Sequence, residues 1–218
     1  TNSDCDWYQI PSPFPPENLH VTVAGHVDTT YSARSESVPT IVNVVHAVIE
    51  AKRGNYLVFL PSYEYLDLVF DGFTSTHPGV DVIRQERNMQ DDERMSFLAS
   101  FDSDPVCGFA VMGGIFAEGI DLTGSRLIGA VVVGVGLPQI GIERDLIREH
   151  FPDRGFEYAY QYPGLIKVLQ TAGRVIRSET DEGVVCLVDR RYLQHRYREL
   201  LPAHWQGQSV RSQEEIGR

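Results

Sequence analysis

The residues best suited to chemistry are a glutamine and two arginines in the C-terminal third of the chain. Gln170, Arg174 and Arg177 lie in a segment whose pattern predicts one helix over residues 162–177, and on such a helix the three side chains share one face. Gly173 removes a side chain beside them, so that a phosphate can come close. Two arginines one turn apart suit a triphosphate, and arginine commonly stabilises the transition state of phosphoryl transfer. A solvated arginine face fits the pattern equally well.

A glycine-rich segment, residues 113–124, directly follows a predicted strand. At the C-terminal edge of a parallel sheet such a loop faces the crevice where ligands bind. Asp121 within it could accept hydrogen bonds from a ribose or orient an arginine. A wide turn whose glycines serve backbone geometry alone is the competing interpretation.

A third candidate is the end of the apolar run at residues 56–60, where Ser62, Tyr63 and Tyr65 begin a predicted helix. Helix N-termini bind phosphate oxygens, and aromatic rings stack on bases. An ordinary capped helix packed by its tyrosines is the alternative, and it is the simpler interpretation of Tyr65.

The elements that must position these residues alternate along the chain. Strands are predicted at residues 19–23, 56–60, 80–84, 106–111, 126–133 and 184–188. Most are continuous apolar runs, typical of strands buried on both faces, and Ser37 and Ser62 are predicted N-caps of the first two helices. We therefore expect an α/β fold, with a mostly parallel sheet and helices on both faces, over residues 19–205. Residues 1–18 are predicted to be a linker and residues 206–218 a polar tail.

Charge and cysteine content limit the classes of function. The formal net charge of −11 has the wrong sign for binding nucleic acid by bulk attraction. Residues 144–198, however, carry ten basic and eight acidic side chains, so a polyanion site is expected there. The cysteines Cys5, Cys107 and Cys186 lie far apart, which argues against a disulfide framework, a zinc site or a cysteine-ligated cluster in this chain. No metal site is predicted.

The hydropathy and the N-terminal residues indicate where in the cell the protein is expected. No apolar run approaches the roughly 20 residues that a membrane-spanning helix needs, and no signal peptide is recognisable. We therefore expect a cytoplasmic protein without membrane contact. The chain opens with Thr1 rather than Met, so we also expect a piece of a longer protein. It contains no GxxxxGK[ST] phosphate loop.

The three candidate segments occur in a meaningful order. GNYLVFLPSYEYL (residues 54–66), GGIFAEGIDLTGSRLIGAVVVGVGLP (113–138) and KVLQTAGRVIRSETDEGVVCLVDRRY (167–192) resemble motifs IV, V and VI of superfamily 2 helicases. The chain is most similar to the xeroderma pigmentosum group D / DinG branch, DNA helicases that move 5′→3′ on single strands. The run PSPFPPENLHVTV…YSAR is also similar to that family, and the resemblance extends to about residue 205.

The resemblance implies the second of two RecA-like motor domains. In that family the first motor domain carries the phosphate loop, the magnesium-binding acidic motif and, in most members, a four-cysteine iron–sulphur insertion. ATP and Mg²⁺ would therefore be shared with a missing N-terminal motor domain, and any 4Fe–4S cluster would belong to that half. The expected partners are this motor domain and single-stranded DNA, and the isolated chain is expected to lack ATPase and unwinding activity.

The resemblance also implies roles for individual residues. Arg174 and Arg177 would reach the γ-phosphate across the interdomain cleft, with Arg177 as the arginine finger, and Gln170 would organise the phosphate and the attacking water. The residues implied to bind nucleotide or couple its state to the DNA-binding surface are Glu118, Gly119, Asp121 and Gly173. Those implied to contact the single strand are Ser62, Tyr63 and Lys167.

Two other classes of protein stay open on the residues alone. One is a non-catalytic nucleic-acid-binding adaptor derived from a helicase. The other is a small nucleotide-binding enzyme of doubly wound fold, which would need a glycine-rich loop after the first strand; residues 19–30 hold only Gly25. The residues do not decide between DNA and RNA as the track.

Overall fold

The computed structural model describes residues 14–103, 105–117 and 122–205 of the 218-residue chain, together with the backbone of residues 208–210. The described strands form one seven-stranded sheet in which every neighbouring pair is parallel. They are β1 (Leu19–Ala24), β2 (Tyr56–Leu60), β3 (Val82–Arg84), β4 (Cys107–Val111), β5 (Gly129–Val133), β6 (Gly183–Val188) and β7 (Gln208–Val210), in the order β3-β4-β2-β5-β6-β1-β7. The predicted parallel α/β fold is confirmed.

Helices cover both faces of this sheet. They are α1 (Arg34–Ala51), α2 (Tyr63–Thr76), α3 (Asp91–Ala99), α4 (Ile142–His150), α5 (Tyr162–Ala172) and the short α6 (His195–Arg198). Apolar side chains of α1 and α2 pack on one face of the sheet, and those of α3 and α5 pack on the other. In the described part of the chain, no helix is both long and apolar enough to cross a bilayer.

The central strands supply a core to both faces. Leu57 and Phe59 of β2 point into the layer under α5, whereas Val58 and Leu60 point into the layer under α1 and α2. All four side chains are fully buried, because successive side chains of a strand point to opposite faces. This two-sided burial explains why the strands are continuous apolar runs rather than alternating ones.

The two predicted N-caps have different outcomes. Ser62 caps α2 as predicted, since its Oγ accepts a hydrogen bond from the Tyr65 N–H at 3.3 Å. The prediction for Ser37 is wrong, because α1 already begins at Arg34. Ser37 is instead a buried residue of that helix, where its hydroxyl donates to the Arg34 carbonyl and is hydrogen-bonded to the Tyr65 hydroxyl at 2.5 Å.

The predicted helix over residues 162–177 is too long at its C-terminal end, since α5 ends at Ala172 and Gly173 is its C-cap. Val175 and Ile176 are both buried against the core. Beyond Gly173 the chain turns away from the helix axis, and Asp181 holds the backbone N–H groups of Arg177 and Ser178 in a loop rather than a further helical turn. At the other end, a π-helical segment, Glu157–Gln161, leads directly into α5.

The segments predicted to flank the domain also make contacts with it. A 3₁₀ turn, Pro16–Asn18, precedes β1, and Phe14 packs against the core. Gln208–Val210, in the predicted polar tail, form the edge strand β7 beside β1. The sequence pattern predicts no strand in this tail.

Candidate nucleotide and nucleic-acid site

The helix α5 connects two regions of the molecule. Near its start, Gly164 packs so closely on the loop after β5 that an added Cβ would lie 2.6 Å from the Val135 carbonyl oxygen. Just beyond its end, Val175 fills the space beside Gly183, the first residue of β6. The helix therefore runs antiparallel to the strands, from their C-terminal edge back to the edge where they begin.

The last turn of α5 and the loop that follows it carry the predicted catalytic residues. Gln170 is exposed on the last turn of the helix, and the exposed Gly173 ends it. Arg174 is half-buried, and its Nε donates to the carbonyl oxygen of Ala117 at 3.0 Å. Ala117 belongs to the glycine-rich loop after β4, so the structure joins the second and third motifs at this contact.

Three residues predicted for the nucleotide site, Glu118, Gly119 and Asp121, lie outside the described residues. Their neighbour Ala117 is buried against the core. Ala117 itself contacts Arg174, in the loop after α5.

Arg177 has an exposed side chain on a backbone held by Asp181. One carboxylate oxygen of Asp181 accepts from the N–H groups of Arg177 and Ser178, at 2.7 and 2.8 Å, and the other accepts from the Ser178 hydroxyl at 2.6 Å. Burial by itself would raise the pKa of Asp181, but these hydrogen bonds and one from the Gly124 backbone outweigh it and hold the pKa below its ordinary value. Asp181 is thus ionised, and its carboxylate fixes the loop.

The arrangement of the three predicted catalytic residues differs from the sequence expectation. Gln170 is helical, Arg174 lies in the turn after Gly173, and Arg177 lies three residues further on, so they do not share one helix face. Both arginines instead belong to a short loop fixed at two points, by Ala117 and by Asp181.

The residues predicted to contact a single strand surround the end of β4. The Tyr63 hydroxyl accepts from Nε2 of Gln85 at 2.8 Å, and Oε1 of Gln85 accepts from the Val111 N–H at 2.9 Å. Gln85 is buried, with 4% of its surface exposed, and the guanidinium of Arg87 lies 4.7 Å from the centre of the Tyr63 ring. Tyr63 is therefore held in place by the edge of the sheet itself.

Lys167 reaches the same edge from α5. A Cβ at Gly113 would lie 3.3 Å from Cδ of Lys167, so the aliphatic stem of the lysine runs over this glycine. Gly113 has a φ of +72°, a conformation that favours glycine. Ser62 lies at the adjacent end of β2, where its Oγ accepts from Nη1 of Arg34 at 3.3 Å.

Sequence reasoning missed a buried ion pair at the end of β6. Asp189 is fully buried and binds Arg191 through both carboxylate oxygens, at 2.8 and 2.7 Å, and it also accepts from the Thr29 hydroxyl. Burial would lower the pKa of Arg191, but the hydrogen bonds and charge of Asp189 outweigh it and raise the pKa. An aspartate directly after a fully apolar strand was the available signal. Asp181 and Gln85 carry no comparable signal in the sequence.

The described residues do not bring three histidine, cysteine, aspartate or glutamate side chains together in a group that could hold a metal ion. The cationic groups of the loop after α5 suit a polyphosphate, whose charge and geometry match arginine.

Comparison with known proteins identifies the family of this chain. Residues 45–208 match the family model described as the helicase C-terminal domain. This match covers most of the chain, and the chain belongs to that family. Its resemblance to the C-terminal domain of helicases of the xeroderma pigmentosum group D / DinG type is confirmed.

Among curated proteins, the chain is 29% identical to the "probable ATP-dependent helicase" of Methanocaldococcus jannaschii, over 84% of this chain and 30% of that protein. It is 24% identical to the ATP-dependent DNA helicase chl1 of Aspergillus fumigatus, over 92% of this chain and 31% of that protein. The chain thus spans about a third of the length of these two relatives.

Solved structures show the same fold. An XPD helicase superposes with a TM-score of 0.73 at 19% identity, covering 88% of this chain and 35% of that one. Domain 2 of the DEAD-box helicase Mss116p, solved with an RNA duplex, gives a TM-score of 0.57 at 12% identity, covering 91% and 66%. The fold is therefore that of a RecA-like helicase domain.

Proposed function

We propose that this chain is the second motor domain of an ATP-dependent DNA helicase that moves 5′→3′ along a single strand. The observation that carries the proposal is the contact between Arg174 and Ala117, which fixes the arginine loop on the glycine-rich loop after β4. The loop after α5, whose arginines suit a triphosphate, is thus hydrogen-bonded to the loop after β4. That second loop begins at the edge of the sheet where we propose that the single strand binds.

In the proposed mechanism Arg177 is the arginine finger. Its exposed side chain extends from a backbone fixed by Asp181, so the backbone of the loop would not need to be ordered when the side chain meets the γ-phosphate. Arg174 would bind the same phosphates, Gln170 would orient them and the attacking water, and Gly173 would give room for close approach. Positioning and charge stabilisation of this kind account for most catalysis of phosphoryl transfer.

The second part of the proposal concerns the strand. Ser62, Tyr63 and Lys167 surround the end of β4 and would contact the backbone or the bases of single-stranded DNA. Glu118, Gly119 and Asp121 would couple the nucleotide state to this edge, because they continue the chain from Ala117. ATP binding would close two motor domains and hydrolysis would open them, so that alternating grip on the strand gives stepping.

ATP with Mg²⁺ would be shared with an N-terminal motor domain of the same protein, which would supply the phosphate loop and the magnesium ligands. Arg174 and Arg177 are the residues of this chain suited to the phosphates, and their chemistry fits. A 4Fe–4S cluster, where the protein has one, would lie in that other half. The chain by itself would not hydrolyse ATP.

The test is DNA-stimulated ATPase activity of the longer protein that contains this chain, measured for the wild type and for Arg177→Ala, with the isolated chain alongside. A fall in kcat of about 10³-fold or more in the variant supports the finger role. Arg53→Ala, an exposed arginine just beyond α1, is the matched control and should match the wild type.

An inactive longer protein, or a variant as fast as the wild type, contradicts the motor function and favours the adaptor. Turnover of ATP by the isolated chain contradicts the proposed sharing of the site. A strand-displacement assay with 5′ or 3′ overhangs tests the polarity, because only the 5′ overhang should support unwinding.

A further inference from the structure

The guanidinium of Arg34 has no carboxylate partner among the described residues. It is half-buried at the start of α1, 5.2 Å from the centre of the Tyr31 ring and 5.0 Å from that of Tyr65. Among the described residues its one hydrogen-bond acceptor is Ser62 Oγ, its Nε–H is buried without a partner, and no carboxylate lies within 4.0 Å.

Two other half-buried arginines, Arg191 and Arg84, are paired with carboxylates, whereas Arg144 donates to the Ala159 carbonyl oxygen at 3.4 Å. Arg191 is bound by both oxygens of Asp189, and Arg84 lies near three carboxylates, those of Asp67, Asp71 and Glu86. Taking a cation partly out of water is unfavourable unless an anion compensates it. The missing counter-charge at Arg34 therefore indicates an anionic ligand.

Tyr31 indicates what kind of anion this is. Its side chain is 85% exposed, whereas the other exposed aromatic residues in the described part of the chain, Phe151, Phe156 and Tyr158, are 39–40% exposed. It lies on a 3₁₀ turn, Tyr31–Ala33, directly before α1. A tyrosine ring in open solvent beside an arginine is the combination that binds a base by stacking and the adjoining phosphate by charge.

The position of the pair supports a polymer rather than a small anion. Tyr31 and Arg34 follow the end of β1, as Ser62 follows β2 and Gly113 follows β4, so all lie at the C-terminal edge of one parallel sheet. Arg34 contacts Ser62 directly. The site is therefore continuous with the edge already assigned to the single strand.

We infer that Tyr31 and Arg34 form an additional single-strand contact, in which Arg34 binds a backbone phosphate and Tyr31 stacks on the neighbouring base. The inference rests on the proposed function and extends its strand-binding surface across the end of β1. It assigns two roles that two substitutions can separate.

The experiment measures the binding of a fluorescent oligothymidylate to the longer protein by anisotropy, over a series of KCl concentrations. Tyr31→Ala should raise Kd about tenfold and leave the salt dependence unchanged, because stacking releases no counterion. Arg34→Gln should also raise Kd, and it should reduce the slope of log Kobs against log salt by about 0.7. Arg53→Gln is the charge-matched control and should change neither quantity.

A weaker affinity of Tyr31→Ala cannot be explained by misfolding, because Tyr31 is almost fully exposed and its loss leaves the core intact. If the wild type binds the oligonucleotide and both variants bind equally well with the wild-type slope, the inference is wrong and the proposed function stands. If the wild type does not bind the oligonucleotide, the inference and the proposed function are both wrong. Displacement of the oligonucleotide by inorganic phosphate at constant ionic strength, lost in Arg34→Gln, would identify a free-phosphate site and overturn the inference.

Discussion

The backbone N–H of Arg177 donates to the carboxylate of Asp181 at 2.7 Å. Asp181 is four residues further along the chain and only 6% exposed, so a buried acid fixes the backbone from which the proposed finger extends. Its two oxygens together accept three hydrogen bonds from Arg177 and Ser178. The conformation of the loop thus depends on a residue that does not itself contact the proposed nucleotide.

Asp181→Asn should slow ATP turnover without abolishing it. The amide cannot accept all three hydrogen bonds, so the loop becomes looser and the finger is less well placed; we expect kcat in the longer protein to fall about 10- to 100-fold. Steady-state ATPase kinetics with saturating single strand check this, with Glu179→Gln, an exposed neighbour, as control. Unchanged kcat in Asp181→Asn would show that the loop does not need this acid.

Gln85→Leu should weaken strand binding through Tyr63. Leucine fills the buried space but loses the hydrogen bonds to the Tyr63 hydroxyl and the Val111 N–H, which leaves both without a partner. We expect Kd for an oligothymidylate to rise several-fold, while ATPase activity without DNA stays near the wild-type value. A purely structural role would lower the affinity for the oligonucleotide and the ATPase activity together. Gln139→Leu, at an exposed position in the loop before α4, is the control.

Arg191→Met should be one of the most destabilising single changes in the chain. It leaves the fully buried Asp189 without its cation, and breaking a buried pair from one side costs about 3–5 kcal/mol. Urea denaturation of the chain measures the loss. The double variant Asp189→Asn, Arg191→Met should recover part of it; equal stability of both variants would contradict the ion-pair explanation.

His77 should make the chain less stable in mild acid. Burial lowers its pKa from 6.5, and His46 lowers it further, against an opposing effect of Glu50. The His46 and His77 rings are stacked 3.7 Å apart, and His77 Nε2 is buried without a partner among the described residues. Because the unfolded chain binds the proton more tightly, stability is full above about pH 6.5 and falls below it.

His77→Phe tests this directly. Phenylalanine keeps a ring beside His46 and Phe73 but cannot take up a proton, so the loss of unfolding free energy between about pH 7 and about pH 5 should be smaller than in the wild type. His195→Gln, at an exposed position, should retain the full loss. Identical pH profiles for His77→Phe and the wild type would rule His77 out as the cause.

The sequence predicts those parts of this fold that depend on local pattern. The run at β2 and the Ser62 cap of α2 appear where the residues indicate them, because burial on two faces and capping each leave a local pattern. The end of α5 was predicted five residues too late, because nothing in the local pattern shows that Asp181 holds the backbone of Arg177 and Ser178 in a loop. A helical pattern records which residues are apolar, not which direction the core lies in.

In the candidate site, too, the sequence predicts what has a local pattern and misses what depends on contacts between distant residues. The types of Gln170, Arg174 and Arg177 and their order among three motifs indicate a phosphate site and a family, and the family is confirmed. Their assumed common helix face is wrong, because Asp181 holds Arg177 in a loop instead. Contacts such as Gln85 to Tyr63 join residues 22 positions apart, and nothing in the local pattern of either residue records such a pairing.

The helix α5 joins the two ends of the sheet as a single rod. Its eleven residues, Tyr162–Ala172, span about 16 Å at 1.5 Å per residue. A tilt of only about 4° about its tightly packed start at Gly164 would move its far end by roughly 1 Å, and a displacement of that size at a reacting group is enough to change a rate by about 10²-fold. The position of the arginine loop therefore depends, besides its contacts with Ala117 and Asp181, on packing at the opposite edge of the molecule, where two glycine backbones, Gly136 and Gly164, leave no room for a side chain.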